Sequence, residues 1–119
     1  MTDRHIAVHI SSLEDMGQRF VSAWHSAEAG GTLARDQVTF LGLEAFMAAM
    51  SPKRLELMRH LRKAGPMSVR QLSQELGRDY KSVHGAVARL ADAGLIERPA
   101  RDVVAVPWDR MVTELDLAA

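Results

Sequence analysis

Residues 68–94 read SVRQLSQELGRDYKSVHGAVARLADAG, a stretch that carries two helices with their ends marked. Ser68 and Gln71 stand at the spacing of a capping box, in which the hydroxyl accepts an N–H that the first helical turn leaves without a partner. Val69, Leu72 and Leu76 then recur at helical intervals, and Gly77 supplies the stop. Only Arg78 and Asp79 intervene before a second helix, whose apolar stripe is Val83, Ala86, Val87 and Leu90 and whose end is Gly94. Two helices joined by a turn this short, with a glycine in it, form the helix-turn-helix pattern.

The flanks extend that pattern on both sides. Upstream, Ser51-Pro52 sets a capping residue before a proline at the first helical position, where the missing N–H has no intrahelical partner to lose. Leu55, Met58 and Leu61 carry an apolar stripe from there to Gly65-Pro66. Downstream the hydrophobic period shortens to that of strands: LIER at 95–98 and VVAV at 103–106 flank Pro99-Ala100-Arg101-Asp102, which reads as a hairpin with a four-residue turn. Pro107 ends the second strand, and Trp108, Met111, Val112 and Leu115 are spaced as a closing amphipathic helix. Three helices followed by a hairpin make a winged helix-turn-helix, which assigns residues 51–119 to one such domain with a C-terminal helix.

Residues 1–50 have a different texture. HIAVHI alternates, with Ile6, Val8 and Ile10 on one face, and reads as a half-buried strand. Ser11 and Ser12 open a helix through Leu13, Met16, Phe20, Val21 and Trp24; VTFLG is a second short strand, and LEAFMAAM is a short helix read as core. Two strands alone are marginal in water, so something must complete the sheet. The expectation is a second copy of the chain, with HIAVHI or QVTFLG pairing across a two-fold axis and Ile6, Val8, Ile10, Leu13, Phe20 and Trp24 in the dimer interface. The expected fold class is therefore α+β, mainly helical: a winged helix-turn-helix preceded by a strand-helix-strand dimerisation segment.

Composition narrows the functional classes. The chain has no cysteine, which excludes disulfides and thiolate metal sites and fits a reducing compartment. No apolar run approaches the roughly 20 residues that span a bilayer, and MTDRHIAVHISS lacks the apolar core of a signal peptide, so the expectation is a cytoplasmic protein with no membrane partner. His5 and His9 have the spacing of a helical zinc pair, but on a strand four residues span about 13 Å, and no metal or cofactor is expected. With no phosphate-cradling glycine loop, nucleophile elbow or paired carboxylates, an enzyme is not expected either. The formal net charge of +0 conceals a split. Residues 1–50 hold 3 bases against 6 acids, while residues 51–119 hold 12 against 9.

On the second helix of the pair, turning Val83, Ala86, Val87 and Leu90 inward leaves Lys81, Gly85 and Ala88 at the centre of the outer face, flanked by Ser82, His84 and Arg89. Gly in a helix interior costs about 1 kcal/mol against Ala. Either Gly85 is tolerated on a solvated face, or small Gly85 and Ala88 let the backbone sit deep in a DNA major groove, which such a helix enters with its N-terminal residues nearest the bases. The second alternative makes Lys81, Ser82 and His84 candidates for base or groove contacts, and Ser68, Arg78 and Tyr80 candidates for positioning on phosphates of double-stranded DNA. Arg101 would act from the hairpin, with Arg89 and Arg98 as further phosphate contacts. Asp79, Asp92, Glu97 and Asp102 interleave with these bases, so nonspecific affinity is expected to be modest and salt-dependent.

Residues 51–99 resemble MarR-type winged-helix regulators. The sequence is more closely similar to a group of short prokaryotic regulators with an R-D-Y-K-x-V-H run, here residues 78–84, and a V-P-W-D segment, here residues 106–109. A first strand and a helix like SLEDMGQRFVSAW recur in that group, so the likeness covers nearly the whole chain. It implies a DNA-binding transcriptional regulator; the expectation is that it is sequence-specific, autoregulatory and homodimeric. Some members look like antitoxins, which implies as an alternative a module that neutralises a basic partner, a toxin or neighbouring gene product, with DNA binding secondary or lost. Ser82 stands where Asn is usual and Gly85 where Arg is usual, removing an amide and a guanidinium from the reading face.

Overall fold

The computed structural model describes residues 4–11 and 37–114. Among them are five strands and four helices: β1 (His5–Ser11), β2 (Gln37–Leu41), α1 (Leu43–Ala49), α2 (Pro52–Ala64), α3 (Val69–Leu76), α4 (Tyr80–Asp92), β3 (Glu97–Ala100), β4 (Val103–Ala105) and β5 (Arg110–Glu114). The fold is α+β, with a parallel three-stranded sheet ordered β2-β1-β5 and an antiparallel β3-β4 hairpin. The helix expected through Leu13, Phe20 and Trp24 lies outside the described residues. No helix among the described residues is long and apolar enough to cross a membrane.

The caps read from the sequence form. Ser51 Oγ accepts from the Arg54 N–H at 3.2 Å, Ser68 Oγ from Gln71 at 3.1 Å, and the Asp79 carboxylate from Ser82 at 3.1 Å. Only half of the Ser68 capping box closes, because the Gln71 side chain turns along α3 to donate to Glu75 at 2.8 Å. Gly77 ends α3 in the left-handed region at φ 64°, and the Arg78 N–H that follows reaches back to the Ser73 carbonyl at 3.0 Å. This left-handed step turns the chain into α4 within two residues.

Packing follows the apolar stripes. Leu57, Leu61, Leu72, Val83, Val87 and Leu90 are each 0–1% exposed, and Leu95, Ile96 and Val104 close the core from the hairpin side. Met67, just ahead of α3, exchanges two backbone hydrogen bonds with Val104, at 3.1 and 2.9 Å, which fastens β4 to the helical unit. The hairpin turn is tighter than expected. Ala100 pairs with Val103, leaving Arg101 and Asp102 as a two-residue turn with Asp102 at φ 59°, a conformation that Asp tolerates better than most side chains.

Three expectations are corrected. The C-terminal segment around Met111 and Val112, expected as a closing helix, is strand β5 over residues 110–114, paired in parallel with β1 from His5↔Arg110 to His9↔Glu114. With β2 on its other side, β1 is the central strand and has no edge to offer a second copy. Consequently Ile6 and Val8, expected in a dimer interface, are 1% exposed within the single chain and belong to the same buried cluster as Leu57, Leu61 and Leu90; Ile10 is half-buried. The third strand that such a pair needs comes from the chain's own C-terminal end; β2 is an edge strand among the described residues, so the other alternative, pairing through QVTFLG, still stands. Helix α1, read as core, contributes only Phe46 and Ala49, with Met50 beside them; Leu43 and Met47 are 46% and 65% exposed.

The segment between hairpin and β5 stitches this sheet to the helices. Trp108 is buried beneath the Arg4 guanidinium, 5.6 Å from the ring centroid. Asp109 accepts from the Arg4 N–H at 3.1 Å and forms an ion pair with Arg62 of α2, while its own N–H donates to the Arg4 carbonyl at 2.6 Å. These donors, Arg4 first and Arg62 next, hold the Asp109 carboxyl below its ordinary pKa.

Candidate nucleic-acid interface

Helix α4 presents two different flanks. One faces the N-terminal end of α2 across an open groove of about 660 Å³, lined by Lys81, Ser82, Gly85 and Arg89 from α4, by Arg78 and Asp79 from the turn, and by Ser51, Lys53 and Arg54 opposite. Tyr80 and His84 stand on the other flank, with ring centroids 5.8 Å apart. Arg70 of α3 stacks on Tyr80, its guanidinium carbon 4.8 Å from the ring centroid, making a cation–π contact.

The structure thus brings Arg78, Lys81, Ser82, Gly85 and Arg89 together in the groove. Tyr80 and His84 lie beside them on the neighbouring flank of the same helix, and Ser68 caps α3. Arg98 and Arg101 are exposed on the hairpin, and neither lines the groove. Gly85 is exposed, and a Cβ built there would meet nothing within 4 Å, so internal packing does not demand a glycine.

Arg78 has a different environment from that expected of a phosphate contact. Its guanidinium donates to the Lys53 carbonyl at 3.0 Å and to Glu56 Oε2 at 2.6 Å, clamping the α3–α4 turn onto the first turn of α2. With its side chain 25% exposed, one guanidinium serves both the protein's own backbone and the groove wall. Lys53 and Arg54 on the opposite wall went unread in the sequence, although they carried a signal. Cations in the first turn of a helix oppose its macrodipole and so ask for another reason to be there. Arg54 has one, since it donates to the Ala48 and Ala49 carbonyls at 2.6 and 3.0 Å and caps the end of α1. The side chains of Lys53, Lys81 and Arg89 have no hydrogen bond or ion pair among the described residues, leaving three cations that line the same concavity.

Elsewhere, two histidines are internally engaged. His60 of α2 meets Glu75 of α3 at 2.7 Å, and hydrogen bonds from Gln71 first and His60 next lower the Glu75 pKa. His9 hydrogen-bonds Gln37 across β1 and β2 at 3.1 Å.

Fold and site define a small α+β protein in which a capped two-helix unit, closed by a hairpin, carries a cation-lined groove. The chain belongs to the HVO_A0114 family, whose model matches residues 49–113, from the end of α1 into β5. No curated protein and no solved structure matches it.

Proposed function

We propose that the protein is a sequence-specific DNA-binding transcriptional regulator of winged helix-turn-helix type, similar to MarR regulators, with α4 as the reading helix and β3-β4 as the wing. The observation that carries this reading is the convergence of Lys53, Lys81 and Arg89, each side chain without an internal partner among the described residues, on a groove that the side-chain-free Gly85 also lines. A phosphate backbone along that groove would find cations from both walls, and Lys81 and Ser82, in the first turn of α4, would lie nearest the base edges. Action as a homodimer on its own promoter is part of the proposal. The exposed Leu41, Leu43 and Met47 form an apolar surface suited to a second copy. Two copies would present reading helices to half-sites about 34 Å apart.

The test is binding of the purified protein to its own upstream DNA and to a scrambled duplex, titrated across salt. Lys81→Ala is expected to cost about 1–3 kcal/mol on the promoter if Lys81 reads a base, with a smaller loss on the scrambled duplex. Equal loss on both would make it a phosphate contact. Weak and equal binding of both duplexes by the unaltered protein would refute the reading.

The antitoxin-like alternative, in which the protein neutralises a basic partner, draws support from the same apolar surface lying in the acidic half of the chain. Co-purification of a neighbouring gene product that Met47→Glu abolishes, with DNA binding intact, would favour it.

A further inference from the structure

A second cavity, of about 500 Å³, lies along the C-terminal two-thirds of α2, where that helix meets the segment from β4 to β5. Its apolar lining comes from Leu55, Met58, Val106, Trp108 and Met111. Its polar lining is almost wholly cationic: Arg59, Arg62, Lys63 and Arg110, against one acid, Asp109, which Arg62 already neutralises. Concave sites of about 300–1,000 Å³ with an apolar body and a few placed polar groups are the usual form of small-molecule sites.

Three observations separate this cavity from an ordinary solvated seam. Arg62 and Lys63 sit in the last turn of α2, where cations complement the helix dipole, but Arg59, a turn earlier, has no such reason. Arg59 and Lys63 are exposed and have no hydrogen bond or ion pair among the described residues. Trp108, 4% exposed, has an indole Nε1–H that is buried with no partner among the described residues, and an unsatisfied donor of this kind is a standing cost. Free cations beside apolar side chains match a ligand that brings both an anionic group and a hydrocarbon body, and the Trp108 indole, buried at the cavity wall, reports on what enters.

We propose that the α2–β5 cavity binds a small amphipathic carboxylate, its chain against Leu55, Met58 and Val106 and its carboxylate held by Arg59 and Lys63. A phosphodiester backbone would use the cations and leave the apolar lining idle, which is why a small organic anion fits better than a second stretch of DNA. The site is distinct from the groove at α4, and the proposal stands whether or not that groove binds DNA.

The test uses the full ¹⁵N-labelled chain, whose two tryptophans give two indole N–H signals. The Trp108 signal is identified by its loss in Trp108→Phe. Octanoate is titrated against octanamide, which has the same chain and no charge. Octanoate is expected to move the Trp108 signal saturably, and octanamide to bind about tenfold more weakly, the usual scale for losing charge-assisted hydrogen bonds. The exposed pair Arg59→Gln and Lys63→Gln should weaken octanoate to the level of octanamide and leave octanamide unchanged. Absence of a saturable shift, equal binding of acid and amide, or indifference of octanoate to the double substitution would each overturn the proposal. The acid–amide comparison is made on the unaltered protein, so it decides the matter even if the double variant folds poorly. A Trp108 shift produced by a DNA duplex and abolished by the double substitution, with none from octanoate, would reassign the cations to nucleic acid.

Discussion

Under the proposed DNA-binding function, Gly85→Ala should stabilise the protein while weakening promoter binding, and the two effects have separate physical origins. Gly85 lies inside α4, is exposed, and leaves open space where a Cβ would go, with nothing within 4 Å. No native contact is therefore lost or strained. The gain is the difference in helix propensity, about 1 kcal/mol, equivalent in a domain of this size to a rise in Tm of roughly 3–6 °C. On the binding side, a methyl group is added to the lining of a groove whose walls carry Lys53, Lys81 and Arg89. If the α4 backbone approaches a base edge or phosphate there, the methyl must displace it, and promoter affinity falls by several-fold while scrambled DNA is less affected. Thermal unfolding and a promoter titration on the same sample measure both. A Tm that falls would refute the structural premise, because something must then occupy the space. A Tm that rises with promoter affinity unchanged would refute the close-approach argument and leave Gly85 as a residue tolerated on a solvated face.

Gly94→Ala should act in the opposite sense, because Gly94 has φ 86° and its added Cβ would come within 2.7 Å of Val38 Cγ1; backbone strain and the displaced valine together should cost about 2 kcal/mol or more, read by urea unfolding. Asp109→Asn should flatten the acid limb of the stability profile: the folded-state pKa lies below its ordinary value, so the ion pair's stabilisation is full above about pH 4 and is lost as pH falls through the lowered pKa. If the unaltered and substituted proteins show parallel stability losses between neutral and strongly acid pH, the Arg4–Asp109–Arg62 link contributes nothing. Met47→Glu, at a position 65% exposed, should leave the Tm nearly unchanged and shift sedimentation toward monomer, whereas an unaltered dimer would place the interface elsewhere.

The helical unit was legible because its signals are local. Ser51, Ser68 and Asp79 each sit three residues before the N–H they cap, and the stripe Val83, Val87, Leu90 repeats within one helix. Strand β5 was illegible for two reasons. Trp108, Met111, Val112 and Leu115 share helical spacing by coincidence, and the strand's partner begins at His5, more than a hundred residues earlier in the chain. Nothing local distinguishes a short edge strand from the start of a helix when the sheet it joins is supplied by the other terminus; the β-branched pair Val112-Thr113 was the available hint. The groove shows the same division. Lys81, Ser82, Gly85 and Arg89 followed from a helical wheel, whereas the opposing Lys53 and the Glu56 that claims Arg78 come from α2, more than twenty residues away.

The parallel pairing of β1 with β5 also changes what a dimer would be for. On the sequence alone, an incomplete pair of strands demands a second copy, and the dimer follows from folding. In the structure that demand is met internally: β5 fills one side of β1, β2 the other, and Ile6 and Val8 are buried without help. A second copy is then an addition to a chain that already has its core, and the surface that would receive it moves from the middle of the sheet to Leu41, Leu43 and Met47, at the junction of β2 and α1. An interface built on exposed side chains over an already closed core forms between folded monomers, so its strength depends on concentration without folding depending on it. Promoter occupancy would accordingly rise more steeply than in proportion to protein concentration across the dimer's own dissociation range, while the unfolding midpoint of dilute protein would stay nearly fixed. A midpoint that falls sharply on dilution would mean that the core is shared between copies after all.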